Sequence, residues 1–557
     1  MKKLALLSLL ITLVSFGYAQ SQRMVMLEHF TQASCGPCAT ANPTIHSRLT
    51  ANADKMTSIN YHVSWPGYDP MYLHNTEDVN ARVSYYGVSG FGVPYSVIDG
   101  NVYTGHPNGW TGNMSIVTNR YAVPSPFTLS INQRLSATND TIFVTMLVEA
   151  TSDVTGPITA YMGVIEKHIH FNTAPGSNGE KDFYNVFKKM LPTKTGISLP
   201  TPMHTGEYAI IESYWVLANV YTLSELSVVS FIQNPTTKEI YQSGNLQLAP
   251  ITAVYDVDVE ATKMPNSLDR YCNSSIAPLL DIRNNGNNDL TNLSIKYQIN
   301  NEEIHTYQWN GNLAFLDKAQ LELPEITYTM QDTNVLKIYV DQVNQGLDEY
   351  TKNDTLVQQF YSAHKVGRNL QLKLRTDNAP AEVTWEIKNS NGETVVSGGP
   401  YSEVMTLITE NITIDNDDCY DFFIHDAAGN GLCCGNGAGF FRLAPASGNP
   451  IIAQGTQFGS EVWAQFEVFT VGTENLSLSS GLKVYPNPAA NNFIVEVPGT
   501  NSSYNISVLN QTGQKVFESN VNSSKLEINT NNWSNGLYIV RVESKDGIRL
   551  SKINILK

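Results

Sequence analysis

The residues best suited to chemistry are two cysteines two positions apart, Cys35-Gly36-Pro37-Cys38. Thiols at this spacing close a small disulfide ring when a helix begins at the first of them. The unpaired N–H groups of a helix N-terminus, and the positive end of its dipole, favour a thiolate there. Cys35 is therefore expected as the exposed, low-pKa nucleophile, and Cys38, one turn in, as the buried resolving thiol. A zinc site needs further ligands, and the chain has no second Cys-x-x-Cys. Glu28 precedes Cys35 on an apolar run; as a buried carboxylate it would take the proton of the resolving thiol, and as an edge residue it would simply be solvated.

The elements that must hold these groups are legible around them. Residues 24–30 read as a strand, 39–49 as a helix and 56–63 as a second strand. Residues 72–86 are helix-like, with Leu73, Val79, Val83 and Tyr86 at spacings that share one face. Residues 95–98 and 101–103 form a hairpin around Asp99-Gly100, and 113–121 a last helix. Alternating β and α elements of this length predict a mixed sheet with helices on both faces. The tetrapeptide and its setting resemble thioredoxin. That resemblance implies that Val93-Pro94, in Gly90-Phe91-Gly92-Val93-Pro94-Tyr95, is a cis bond facing the two cysteines, with Pro94 lining the substrate groove. The cost of a cis X–Pro bond is only about 0.5–1 kcal/mol. Glu28-His29-Phe30-Thr31 together with Trp65-Pro66-Gly67-Tyr68-Asp69-Pro70-Met71-Tyr72 resembles the 28-kilodalton outer membrane protein family, a thioredoxin-like group of bacterial surfaces, over residues 22–245.

The chain has 557 residues, a net charge of −16 and only 15% charged residues. That length calls for several domains, and that charge argues against nucleic acid and anionic membrane surfaces as partners. Lys2-Lys3, the apolar stretch 4–16 and Gly17-Tyr18-Ala19 read as a signal peptide, residues 1–19. No later stretch is apolar and long enough to span a bilayer, so the expected protein is exported into an oxidising compartment.

The expected organisation is multidomain: an α/β thioredoxin-like domain at 20–123 followed by all-β sandwiches. These are 124–250, an adhesion-type module at 251–362, an accessory sandwich at 363–470, a linker at 471–480 and a final domain at 481–557. Glu166, His168 and His170 alternate along one strand face; such spacing can bind zinc but is commoner on a solvated strand. Cys272 is expected unpaired or distantly paired. Cys419 is expected to pair with Cys433 or Cys434, clamping a Gly-rich loop in a small secreted domain. Asp426 and Asn430, with Asp415, Asp417, Asp418 and Asp421, are weak calcium candidates, since hard oxygen ligands suit that ion but the loop is not an EF-hand.

At the C-terminus, Val484-Tyr485-Pro486-Asn487-Pro488, Asn510-Gln511-Thr512-Gly513 and Trp533-Ser534-Asn535-Gly536-Leu537-Tyr538 resemble the type A C-terminal sorting domain of the type IX secretion system. The resemblance implies export by that machinery, cleavage in the linker, and either release or attachment to surface lipopolysaccharide. The functional expectation is a secreted or cell-surface thiol–disulfide oxidoreductase acting on protein thiols or disulfides, with no cofactor beyond its own redox-active disulfide. The alternative is a non-catalytic surface or adhesion protein with a thioredoxin-like scaffold.

Overall fold

Seven consecutive buried residues form the central strand β1 (Val25–Thr31), the pattern of a strand covered on both faces. The computed structural model describes residues 21–245, 251–434, 436–469, 482–497, 503–544 and 547–557. The expected signal peptide and the linker at 471–480 lie outside the described residues. The chain divides into two compact units, one containing residues up to 258 with 285–289, the other containing 259–284 and 290–557.

In the N-terminal unit β1 is followed by α1 (Gly36–Ala51), β2 (Met56–His62), α2 (Pro70–Leu73), α3 (Thr76–Tyr86), β3 (Tyr95–Ile98), β4 (Tyr103–Gly105), α4 (Asn108–Thr111) and α5 (Ser115–Tyr121). Strands β5 (Phe127–Leu135), β6 (Thr141–Ala150), β7 (Ile158–His170), β8 (Asp182–Leu191), β9 (Ile197–Leu199), β10 (Tyr208–Val216), β11 (Leu226–Gln233) and β12 (Ile240–Asn245) complete it. Strand β2 lies parallel to β1, whereas β3 runs antiparallel to β1 and β4 antiparallel to β3. The order in the main sheet is β12-β11-β7-β8-β2-β1-β3-β4, with β9 beside β7. This sheet runs through the boundary expected at 123/124: β8, β7, β11 and β12 extend it beyond β2. Among the described residues, β5, β6 and β10 form a second sheet, whose apolar face packs on β7 and β11 through Ile131, Val144, Met146, Val164 and Val228.

Alternation along β1 sends its side chains to two cores. Met26 and Phe30 pack with Val79, Val83 and Tyr86 of α3, while Val25 and Leu27 pack with Ala41, Ile45 and Leu49 of α1. The helix expected over 72–86 is broken in two. Asp69 caps α2 and Asn75 caps α3, each accepting backbone N–H bonds with its side chain, so a new helix start interrupts the periodicity and leaves Leu73 57% exposed. The Asp99-Gly100 turn tucks under the β11–β12 hairpin. Gly100 has φ +76°, and a Cβ there would lie 1.7 Å from the Lys238 carbonyl oxygen, so only glycine fits.

The second unit contains only strands and one short 3-10 turn among its described residues. Residues 363–469 form a five-stranded and a four-stranded sheet packed on Leu372, Trp385, Phe422, Phe441 and Phe466. Residues 482–555 form a three-stranded and a four-stranded sheet around Phe493, Ile506, Val508, Val540 and Ile553.

Candidate functional site

The pair lies where β1 gives way to α1. Cys35 is the N-cap residue, in extended conformation, and its sulfur accepts the N–H of Cys38 at 3.1 Å. Pro37 sits in the first turn, where its missing N–H costs nothing. Cys35 and Cys38 are joined by a disulfide with Cα atoms 5.2 Å apart. The Val93–Pro94 bond is cis, and the Val93 carbonyl oxygen lies 3.6 Å from Cys35 Sγ. The expectation of an exposed Cys35 is corrected. Cys35 is 2% exposed and Cys38 fully buried, and only Gly36 and Pro37 of the loop face solvent.

The reason is a segment that the sequence did not connect to the cysteines. The β7–β8 loop packs on the residues before the pair. Asn178 donates its side-chain amide to the carbonyls of Cys35, at 3.1 Å, and Gln32, at 3.3 Å, and its N–H to Ala33 O. Ser177 donates its N–H to Ser34 Oγ at 3.0 Å. Gly176 lies so close that a Cβ would stand 2.1 Å from the Ala33 oxygen.

Glu28 does not reach the resolving thiol. It is fully buried, but strand alternation places it on the α3 face of the sheet, whereas Cys38 belongs to α1 on the other. There it accepts a bidentate pair from Arg82, Nε at 2.9 Å and Nη2 at 2.7 Å, and the hydroxyls of Tyr61 at 3.0 Å and Tyr86 at 2.6 Å. Burial works against the Arg82 charge, yet Glu28 and the two tyrosines outweigh it and hold its pKa well above the usual value. Gln233 closes the set by accepting from Arg82 and donating to Tyr86. Such a buried, fully paired ion pair is a structural device.

The α1 face carries a different polar set. His29 is buried between Ser96 Oγ and Asn42 Oδ1, each 3.2 Å from a ring nitrogen; burial depresses its pKa to about 4, against a partly opposing bond from Asn42. Asn42 donates to both Glu180 oxygens, at 2.9 and 3.1 Å. Glu180 takes its own N–H to Asn178 Oδ1 at 2.9 Å, and burial raises its carboxyl above the usual range. Asp69 binds His62 Nδ1 and the Ala33 N–H, both at 2.7 Å. Burial pushes Asp69 up, but His62 and the N–H donors outweigh it and leave it lowered. Sequence reasoning missed His29, Asn42, Asn178 and Glu180. His29 was recoverable from alternation, since it shares the face of Val25 and Leu27; Glu180 had no local signal.

The remaining candidates fall apart as groups. Glu166 turns away from His168 and His170 to face Lys188 Nζ at 3.0 Å and accept the N–H groups of Tyr221 and Thr222, while both histidines bond Asp182. Asp426 is 2% exposed and accepts the Asn430 N–H at 3.0 Å, the geometry of a turn cap. Asp417 faces Arg368, Asp418 binds Ser390, and Asp421 accepts from Trp463 and Gln465. Among the described residues no group of three or more His, Cys, Asp or Glu is placed to hold a metal ion. The expected pairing of Cys419 is corrected: it bonds Cys272, and Cys433 bonds its neighbour Cys434. A Gly-rich loop in a small secreted domain favours local partners for Cys419, whereas the fold realises the distant pairing that the sequence leaves open for Cys272. In the fold, Cys272 and Cys419 come within 5.8 Å across 147 positions.

Residues 483–556 match the family of secretion system C-terminal sorting domains. A comparison with curated proteins returned no match. Among solved structures, HBP35 of Porphyromonas gingivalis aligns at 12% identity over 61% of this chain and 98% of that one, with a TM-score of 0.35. A protein from Agrobacterium tumefaciens aligns at 12% identity over 41% and 96%, with a TM-score of 0.28. The sorting domain makes the protein a secreted or cell-surface one and the type IX machinery its export partner. No helix among the described residues is long and apolar enough to cross a membrane.

Proposed function

We propose that this protein is a secreted or cell-surface thiol–disulfide oxidoreductase acting through Cys35 and Cys38. One observation carries the reading: Cys35 Sγ caps α1 and takes the Cys38 N–H at 3.1 Å, so a thiolate on Cys35 inherits a hydrogen bond and the positive end of a helix of 16 residues. A thiol attacking the disulfide leaves Cys35 joined to the substrate and Cys38 as the departing thiolate; in reverse, Cys38 resolves the mixed disulfide. The order β2-β1-β3-β4, with the pair between β1 and α1 and Val93–Pro94 entering β3, supports a thioredoxin-like reading of residues 21–121 and, with it, the 28-kilodalton outer membrane protein family. Protein thiols or disulfides are the substrate class. After export, removal of the sorting domain would leave the protein free or attached to surface lipopolysaccharide.

A second reading is favoured by the 2% exposure of Cys35: the disulfide is structural and the domain a scaffold on an adhesion-type protein. Insulin reduction by the mature chain, with dithiothreitol as electron donor, separates them. Turnover that disappears in Cys35→Ser supports the oxidoreductase, and a rate no higher than dithiothreitol alone supports the scaffold.

A further inference from the structure

The second unit holds a cavity that takes no part in the thiol chemistry. It has a volume of about 370 Å³ and opens beside the strand Glu461–Val468, within the usual range of about 300–1,000 Å³ for small-ligand sites. One wall is that strand together with residues 451–454; the facing wall includes Asp269 and Arg270 of the preceding sandwich. The two walls are tied twice. The Cys272–Cys419 disulfide joins them covalently, and Gln465 Oε1 accepts the Cys272 N–H at 3.0 Å. Walls fixed in this way spare a ligand the cost of ordering them.

The lining selects a class of ligand. Trp463 is part of it. Its indole stacks on Phe423, with centroids 6.1 Å apart and planes within 7° of parallel, and its Nε1 donates to Asp421 at 2.8 Å. The ring is therefore held in place and its one polar atom is already bonded, so it can offer a ligand only its π surface. Three further planar side chains line the cavity, Asp269, His364 and Gln454, and none of them makes a side-chain hydrogen bond or ion pair among the described residues. They supply a carboxylate acceptor, an imidazole that both donates and accepts, and an amide that does the same. Arg270 is already engaged: its Nη1 donates to Ser362 O at 2.8 Å and its guanidinium lies 5.3 Å from the Tyr361 ring centre. Its charge offsets that of Asp269, while burial and Arg270 hold His364 below its usual pKa and hence neutral near pH 7. An ionic ligand meets no net counter-charge here. The ligand that suits a fixed indole and three unpaired hydrogen-bonding groups is uncharged and rigid, with one C–H face and several hydroxyls. A pyranose ring has that form.

We propose that this cavity binds a neutral oligosaccharide, with one pyranose stacked on Trp463 and its hydroxyls bonded by Asp269, His364 and Gln454. The site does not depend on the oxidoreductase reading.

The test uses the full mature chain and short neutral oligosaccharides of glucose, galactose, mannose or N-acetylglucosamine, followed by saturation-transfer NMR and titration calorimetry. At least one should bind saturably, with the strongest transfer to the C–H protons of a single ring. Sorbitol, an acyclic polyol, should not compete. Trp463→Ala should weaken binding about tenfold, the worth of one aromatic contact. Gln454→Ala should weaken it severalfold, and because the Gln454 side chain is exposed and bonds nothing else, this variant decides the matter should Trp463→Ala fail to fold. The double variant Cys272→Ser/Cys419→Ser, which unties the walls, should also bind more weakly. Absence of saturable binding by every one of these sugars overturns the proposal. So does an affinity unchanged in both Trp463→Ala and Gln454→Ala, equal binding of sorbitol, or binding confined to sulfated or uronic-acid oligosaccharides.

Discussion

Replacing Glu28 by glutamine separates the buried carboxylate from the redox chemistry. The substitution keeps shape and an acceptor but removes the charge that Arg82 meets at 2.7 and 2.9 Å, with Arg82 itself 2% exposed. Removing one partner of a buried pair typically costs about 3–5 kcal/mol, because the other charge stays buried without compensation. The new amide oxygen can still accept from Tyr61 and Tyr86, so the lower end, about 3 kcal/mol, is expected. For a unit of this size that lowers the midpoint by about 6–12 °C. Calorimetry of the whole chain resolves the transition, and amide exchange should localise the loss to β1 and α3. Below the transition, the rate of mixed-disulfide formation should be unchanged. The double variant Glu28→Leu/Arg82→Met should regain much of the stability, since apolar replacement of a buried pair is often neutral or better. An unshifted midpoint, or a thiol reaction slowed tenfold in the folded Glu28→Gln protein, would refute the assignment of Glu28 to the ion pair.

Three further outcomes follow from other parts of the molecule. His29 is buried and its pKa depressed from 6.5 to about 4, so the unfolded chain binds the proton first; the associated stability is intact above pH 6.5 and lost as pH falls toward 4. That amounts to about 3 kcal/mol, and His29→Gln should flatten this acid slope in denaturant midpoints measured across that window. Non-reducing peptide maps should join the Cys272 and Cys419 peptides. Cys272→Ser should destabilise the second unit by up to about 5 kcal/mol on the loop-entropy account, whereas a Cys419–Cys433 peptide would contradict the structure. Deletion of residues 483–556 should leave the protein inside the outer membrane, as fractionation and immunoblotting would show; normal export of the truncated chain would contradict the role of the sorting domain.

Local patterns in the sequence were enough for β1, α1, β2 and β3, because each is set by its own apolar spacing, caps and turns; the hairpin's second strand, expected at 101–103, starts only at Tyr103. The pair at the start of α1 was legible for the same reason. Periodicity misled at residues 72–86, where Asp69 and Asn75 offered two cap sites and the chain used both. Long-range features left no mark. Nothing near Asn178 signals that β7 and β8 join β2 in one sheet, and that pairing is what brings Asn178 to the Cys35 carbonyl. The same holds for Cys272, whose partner depends on how two neighbouring sandwiches meet. Glu28 was misread for a simpler reason. The sequence leaves it open between burial and a solvated edge; it is buried, but the parity of its position on β1 puts it on the α3 face, and His29 takes the α1 face instead.

Alkylation of the reduced mature chain tests most directly whether Cys35 is the attacking sulfur. The cap geometry, with the Cys38 N–H 3.1 Å from Cys35 Sγ, should favour a thiolate on Cys35 over one on Cys38. Its pKa should fall below the reference of about 8.5. Iodoacetamide at neutral pH, followed by peptide mapping, should therefore modify Cys35 well before Cys38, and Cys38→Ser should trap substrate as a mixed disulfide where Cys35→Ser does not. Slow and equal alkylation of both cysteines, with no trapped partner in either variant, would contradict the account and mark the Cys35–Cys38 bond as structural.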